Sequence, residues 1–223
     1  MVFWRYSVSL SLNRRIGITV AVVLLFITVV LGSFVNRIQQ PRVMSPSDMR
    51  ANGLFLFETP RDLGPFSLVD HKGQPFTPER FADHWTLVFF GFTHCPDICP
   101  TTLSFLADVQ AQLEATEAAD TQVVMVTVDP ARDTVSALAD YVPYFNPDFV
   151  GVTGEFVDIL RFAQSLNAPF RKVTEEDGSY QVDHSANVAL INPRGHFHGF
   201  FRAPFDLAKF KVTYRSARYL WER

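Results

Sequence analysis

The only two cysteines of the chain lie in "FFGFTHCPDICPTTL", residues 89 to 103, four positions apart at Cys95 and Cys99. A loop as short as "CPDIC" can bring both sulfurs to one point, where they either close a disulfide or offer two thiolates to one ion. Cys99 directly precedes Pro100, and a proline suits the first helical position because the N–H it lacks has no partner there. Cys99 is therefore expected near a helix N-cap, where unpaired N–H groups and the positive end of the dipole favour a thiolate. A structural staple is the weaker reading. A chain of 223 residues, 48% of them hydrophobic, can build its core without a disulfide.

A two-sulfur site usually wants a third ligand, and six histidines are available. His94 adjoins Cys95, but neighbours on an extended chain point opposite ways, so its ring is expected to face away. His71 and His84 precede a core strand and are expected at the surface. His196 and His198 alternate with Phe197, the pattern of a solvated strand face, and are not expected to bind metal. His184, in "YQVDHSANVALI", falls between a hairpin and a strand, where a loop residue can be delivered to a site. The residues alone leave it open whether His184 is a ligand or a satisfied structural histidine.

The elements that would position these groups follow from periodicity. "TLVFFGF" (Thr86 to Phe92) and "QVVMVTV" (Gln122 to Val128) are near-continuous apolar runs, as expected of strands buried on both faces. Between them, Leu103, Leu106, Val109 and Leu113 recur at helical spacing. Strand, helix, strand at this spacing describes a βαβ unit with parallel strands. Thr134 to Tyr144 is periodic as a helix and "FVGVTG" reads as a short strand. Glu155 to Leu166 follows as a helix with Phe156, Ile159, Leu160 and Ala163 on one face. The final third reads as two hairpins, turning at "EEDGS" and "NPRG", and a terminal helix from Pro204. The fold class is α/β with a mixed sheet. Loops at the carboxyl ends of parallel strands share one edge of such a sheet. The Cys95–Cys99 loop and Asp129, in "VDPARD", leave neighbouring strands at that edge.

The segment "IGITVAVVLLFITVVLGSFV", Ile16 to Val35, has 20 residues and no charge, the length a helix needs to cross about 30 Å of hydrocarbon. A cleavable signal has an apolar region of only about 7–15 residues and small residues at its cut site; "GSFVNR" matches poorly. An uncleaved anchor over 16–35 is therefore expected, with 1–15 as an N-terminal cytoplasmic segment and 36–60, which holds three prolines, as a tether. The soluble domain is expected over 61–223. Arg5, Arg14 and Arg15 balance Arg37, Arg42 and Arg50 across the span, so charge does not settle orientation; Arg14 and Arg15 against the first apolar turn lean towards an inside N-terminus. A net charge of -3 gives no ground to expect nucleic acid as a partner.

"LVFFGFTHCPDICPTTL", "VTVDPARDT" and "VDHSANVALINPRG", in this order behind a single anchor, resemble the Sco/SenC family of membrane-anchored, thioredoxin-like copper proteins. The resemblance covers roughly residues 60 to 220. It implies a thioredoxin-like fold and copper ligands at Cys95, Cys99 and His184, with Asp129 matching the acidic residue of the family's DP-x-RD segment. It also implies a bacterial inner-membrane location, a domain in the periplasm, a copper-donor protein, and the CuA-bearing subunit of cytochrome c oxidase as recipient. Two thiolates and an imidazole suit Cu(I) and can hold Cu(II); zinc accepts the same set, usually with a fourth ligand. Asp129 is expected to orient the loop or Arg132, or to cap the helix that follows, rather than to bind the ion. The implied function is a copper metallochaperone rather than an enzyme. The alternative is a thiol–disulfide oxidoreductase that reduces the cysteines of the CuA-bearing subunit, for which Cys95 and Cys99 suffice. A peroxiredoxin-like peroxidase is disfavoured, since only the fold would support it.

Overall fold

The computed structural model describes residues 6–39, 43–174 and 180–221. The chain divides into two compact units, Met1–Arg42 and Val43–Arg223. The first contains helix α1 (Tyr6–Gln39). Its stretch Arg14–Arg37 has 24 residues and contains an 18-residue window of mean hydropathy 2.8; at about 36 Å of helix by the usual rise, it is long and apolar enough to cross a membrane. Of the flank expected over 1–15, Tyr6 onward is helical and Arg5 lies outside the described residues.

The second unit opens with α2 (Pro46–Ala51), β1 (Leu54–Arg61), β2 (Leu68–Asp70), β3 (Pro75–Phe76) and β4 (Trp85–Gly91). Then come α3 (Ile98–Ala111), α4 (Ala115–Ala119), β5 (Thr121–Thr127), α5 (Val135–Phe145), β6 (Val150–Thr153) and α6 (Phe156–Ser165). The chain continues through β7 (Phe170–Thr174), β8 (Tyr180–His184), β9 (Val188–Ile191), β10 (Phe197–Phe201) and α7 (Leu207–Trp221). Eight strands form one sheet in the order β1–β10–β9–β4–β5–β6–β2–β3, while β7 and β8 pair separately. β4, β5 and β6 are parallel and the other neighbours antiparallel. This is the mixed α/β sheet that the apolar runs predict.

Every residue of β4 is buried, as a continuous apolar run in a central strand requires. Its register with β5 places Gly91 opposite Thr127. The two loops that follow, carrying Cys95 and Asp129, therefore start side by side. α3 buries Leu103, Leu106 and Val109, one side of a helix at the spacing the sequence shows. α6 buries Ile159, Phe162 and Ala163 but leaves Phe156 about half exposed. Phe156 is the first helical residue and stands edge-on to Phe170 instead, with ring centroids 5.8 Å apart.

Three expectations need correction. The tether expected over 36–60 is shorter, because α2 buries Met49 and β1 joins the sheet, Leu54 opposite Phe201. Two of the three prolines there do not break structure: Pro46 opens a helix and Pro60 lies on an edge strand, both positions where a missing N–H is tolerated; Pro41 lies outside the described residues. His71 is buried, not at the surface, and accepts a hydrogen bond from the Gly151 N–H at Nδ1, 2.9 Å. The strand face of His198 is likewise covered: its ring stands edge-on to Trp85 and to Trp221 of α7, 5.4 Å from each. The hairpin turn expected at "EEDGS", residues 175–179, lies outside the described residues; β7 and β8 on either side pair antiparallel as a hairpin requires.

The burial of His198 makes stability depend on pH. Burial lowers its pKa to about 4, against about 6.5 in an unfolded chain. The folded state thus holds the ring neutral while the unfolded state takes up a proton below pH 6.5, so stability falls as pH drops from 6.5 towards 4. The loss is expected to reach about 2–3 kcal/mol by pH 4.5. Urea unfolding at pH 7.5 and 4.5 measures it, and His198→Phe is expected to shrink the difference between the two by about this amount.

Candidate metal centre

The turn of chain between β4 and α3 brings the cysteines together through a backbone requirement. α3 begins at Ile98, earlier than Pro100 predicts, so Cys99 sits within the first turn. The N–H groups there have no intrahelical acceptor. Asp97, at the cap position, supplies no side-chain bond; instead the Cys99 N–H donates to Cys95 Sγ at 3.4 Å. Both sulfurs are free thiols, Cys95 half-buried and Cys99 fully buried. Burial pushes the Cys99 thiol well above the ordinary range, so it stays protonated until a cation offsets the loss of water. Gly91 leaves room for this sulfur: a Cβ there would stand 2.9 Å from Cys99 Sγ and 2.7 Å from Phe89 Cε1.

His184 is the last residue of β8, delivered by the separate hairpin. Its Nδ1 lies 3.0 Å from the carbonyl oxygen of Ser185. A carbonyl only accepts, so Nδ1 carries the proton and the lone pair of Nε2 is free. That Nε2 faces Cys99 Sγ at 3.6 Å. Phe89 and Phe92 stand edge-on to the ring, with centroids 6.0 and 5.8 Å away. Burial lowers the pKa of His184, partly opposed by the Ser185 bond and by Asp183, and the neutral form is the one that donates to a cation.

Ligand atoms of Cys95, Cys99 and His184 all lie within 4.8 Å of one another. An ion bonded to sulfur at about 2.3 Å and to nitrogen at about 2.0 Å in a trigonal plane needs donors roughly 3.7–4.0 Å apart. The set fits one soft ion with small adjustments. The other histidines are elsewhere. His94 turns its exposed ring to Thr93 Oγ1, 2.9 Å; His84 is exposed; His71 and His198 are buried in their own contacts. Asp129 does not join the three ligands. Its buried carboxylate accepts hydrogen bonds from Arg132 Nε and from the Tyr180 hydroxyl, 3.0 Å.

Sequence reasoning passed over Asp133, four residues on in the same "VDPARD" segment. It is fully buried and accepts three bonds: from the Thr93 N–H at 3.0 Å, the Thr93 hydroxyl at 2.6 Å and the Thr127 hydroxyl at 2.6 Å. It thereby ties the start of the cysteine loop to the end of β5. A second acid in a segment already known to leave a core strand was the available signal.

Parallel core strands ending in a dithiol loop, with an imidazole set against it by a separate hairpin, define an α/β domain of thioredoxin-like fold carrying a cysteine–histidine cluster. The SCO1/SenC family model matches residues 58–213, and the chain belongs to that family. A protein of Stutzerimonas stutzeri whose name refers to copper binding is 42% identical over 154 residues, covering 69% of this chain and 76% of that protein. The mitochondrial SCO2 homolog of Mus musculus is 43% identical over 140 residues, 62% of this chain and 55% of that protein, so the match spans little more than half of it. The crystal structure of Arabidopsis thaliana ScoI with copper bound aligns with a TM-score of 0.65 at 35% identity, over 72% of this chain and 98% of that one.

Proposed function

We propose that the chain is a copper carrier. Copper is its cargo, held by Cys95 Sγ, Cys99 Sγ and His184 Nε2, and passed to the CuA centre of a cytochrome c oxidase during assembly. The observation that carries this reading is the orientation of His184. Its Nδ1 proton is tied to Ser185, which turns the free nitrogen onto the buried sulfur. That nitrogen supplies the third donor that two sulfurs alone lack. The copper-bound Arabidopsis relative supports the choice of ion, and soft donors of this kind suit Cu(I). Three ligands, one of them the half-exposed Cys95, leave an edge at which an incoming ligand can bind before the old ones leave.

In this reading α1 anchors the carrier in a bacterial inner membrane, with 1–15 cytoplasmic and the domain in the periplasm. A short tether raises its effective concentration near a membrane-bound recipient. A second reading is supported by the free thiol pair. Cys95, the more exposed, would attack a disulfide of the recipient to form a mixed disulfide. Cys99 would then displace the recipient's thiol, leaving the recipient with two thiols and this chain with a Cys95–Cys99 disulfide. The two readings differ at His184. In a strain lacking this protein, His184→Ala is expected to fail to restore oxidase activity where the parent restores it. Full restoration would sink the carrier reading and favour reduction.

A further inference from the structure

The hairpin that carries His184 stands apart from the main sheet. All of β7 after Phe170 is exposed, and along β8 only Val182 is buried. A cleft of about 460 Å³ lies beneath it, with Phe170, Lys172, Tyr180 and Val182 on one side and Val128 and Asp129 on the other. A two-stranded element that buries so little apolar surface is marginal by itself. Whatever pins it decides how well His184 is held over the sulfurs.

Strand alternation puts Tyr180, Val182 and His184 on the inward face of β8. At its far end the Tyr180 hydroxyl donates to Asp129, 3.0 Å from Oδ1 and 3.3 Å from Oδ2. Asp129 is only 5% exposed, so although Tyr180 is itself half-exposed, losing the bond leaves a buried acceptor short of a donor. Arg132, bonded to the same carboxylate, lies 4.0 Å from the centre of the Tyr180 ring and 5.7 Å from that of Phe92. Phe92 in turn stands edge-on to the His184 ring. Lys172 Nζ sits 3.5 Å from the centre of the Tyr180 ring. One contiguous set of contacts thus runs from the loops after β4 and β5 to the start of β8, four residues before the ligand.

We propose that Tyr180 and Arg132, gathered on Asp129, form a latch that positions His184 for the ion. They are positioning residues: no atom of theirs belongs to the ligand set. Releasing one hydroxyl from Asp129 frees the hairpin without unpairing any strand of the main sheet, so the third ligand can withdraw while the dithiol loop stays folded. The latch deepens the carrier reading above and rests on it only for the identity of the cargo.

The test uses the full chain in detergent, with Tyr180→Phe, which removes the hydroxyl and keeps the ring for Arg132 and Lys172. Cu(I) affinity of the reduced protein, measured by competition with a chromophoric chelator, is expected to fall roughly tenfold, the scale on which partners behind a ligating histidine act. In a His184→Ala background the same change is expected to alter affinity less than about twofold, because the latch acts through the imidazole. An equal loss in both backgrounds, or none in either, overturns the latch. Nitrogen-15 spectra of the His184 ring, taken without metal, decide it independently of copper. The parent is expected to show one tautomer protonated at Nδ1, and Tyr180→Phe an exchanging mixture; identical spectra overturn the latch. A parent that binds Cu(I) no better than His184→Ala sinks the carrier reading alone, and the ring spectra still decide the latch.

Discussion

Cys99→Ser is expected to lower Cu(I) affinity by roughly a thousandfold, about 4 kcal/mol, while the domain stays folded. The proposed ligand lost is a buried sulfur facing His184 Nε2, and the hydroxyl that replaces it is a hard, protonated group that a soft ion binds poorly. The fold tolerates the change because serine is smaller and its O–H can still donate towards Nε2. The crowding of Gly91 and Phe89 around this position permits a smaller atom and would resist a larger one. Chelator competition with the full chain, kept reduced in detergent, measures the effect. Affinity within threefold of the parent would mean that copper is held elsewhere.

Removing Asp133 has the largest expected effect on the fold at the site. Asp133→Ala strands three donors at once: the Thr93 N–H, the Thr93 hydroxyl and the Thr127 hydroxyl. Each stranded buried group costs about 1–3 kcal/mol, but the threonine hydroxyls can rotate to other acceptors, so the total is expected near 3–4 kcal/mol. For a domain of this size that lowers Tm by roughly 10 °C. Asp133→Asn is expected to fall between parent and alanine, because its amide accepts through one oxygen and turns an NH2 towards a donor. Near-ultraviolet circular dichroism reports mainly on the domain, which holds Trp85, Trp221 and five of the six tyrosines. A shift of less than about 2 °C for the alanine variant would show that the loop is held by other contacts.

Much of the fold was legible because burial and periodicity are local properties. The unbroken run Thr86 to Phe92 can only satisfy water exclusion as an interior strand, and it became β4, buried throughout. The spacing of Leu103, Leu106 and Val109 specifies one side of a helix whatever lies opposite. Edges and ends were less legible. Phe156 has the period of a core residue but is the first residue of α6, and periodicity carries no information about which turn overhangs the sheet. His71 and His198 read as polar surface positions, yet neighbouring elements cover them, and no local pattern reports what the chain will later lay on top.

The same division runs through the candidate site. The sequence by itself determined that the two sulfurs must be close, since three residues separate them, and that the loops bearing Cys95 and Asp129 leave adjacent parallel strands. For His184, 85 positions from Cys99, its place between a hairpin and a strand made it a candidate but left its role open, and the family likeness of its surroundings made the choice. Tertiary structure decided that a separate hairpin brings the imidazole within 3.6 Å of a buried sulfur, that the Ser185 carbonyl selects which nitrogen is free, and that Asp133 and Tyr180 hold the two sides of the cluster in place. The physical reason is range. Apolar spacing is written within a few residues, whereas the direction of a side chain across a loop closure depends on packing among segments that meet only when the chain has folded.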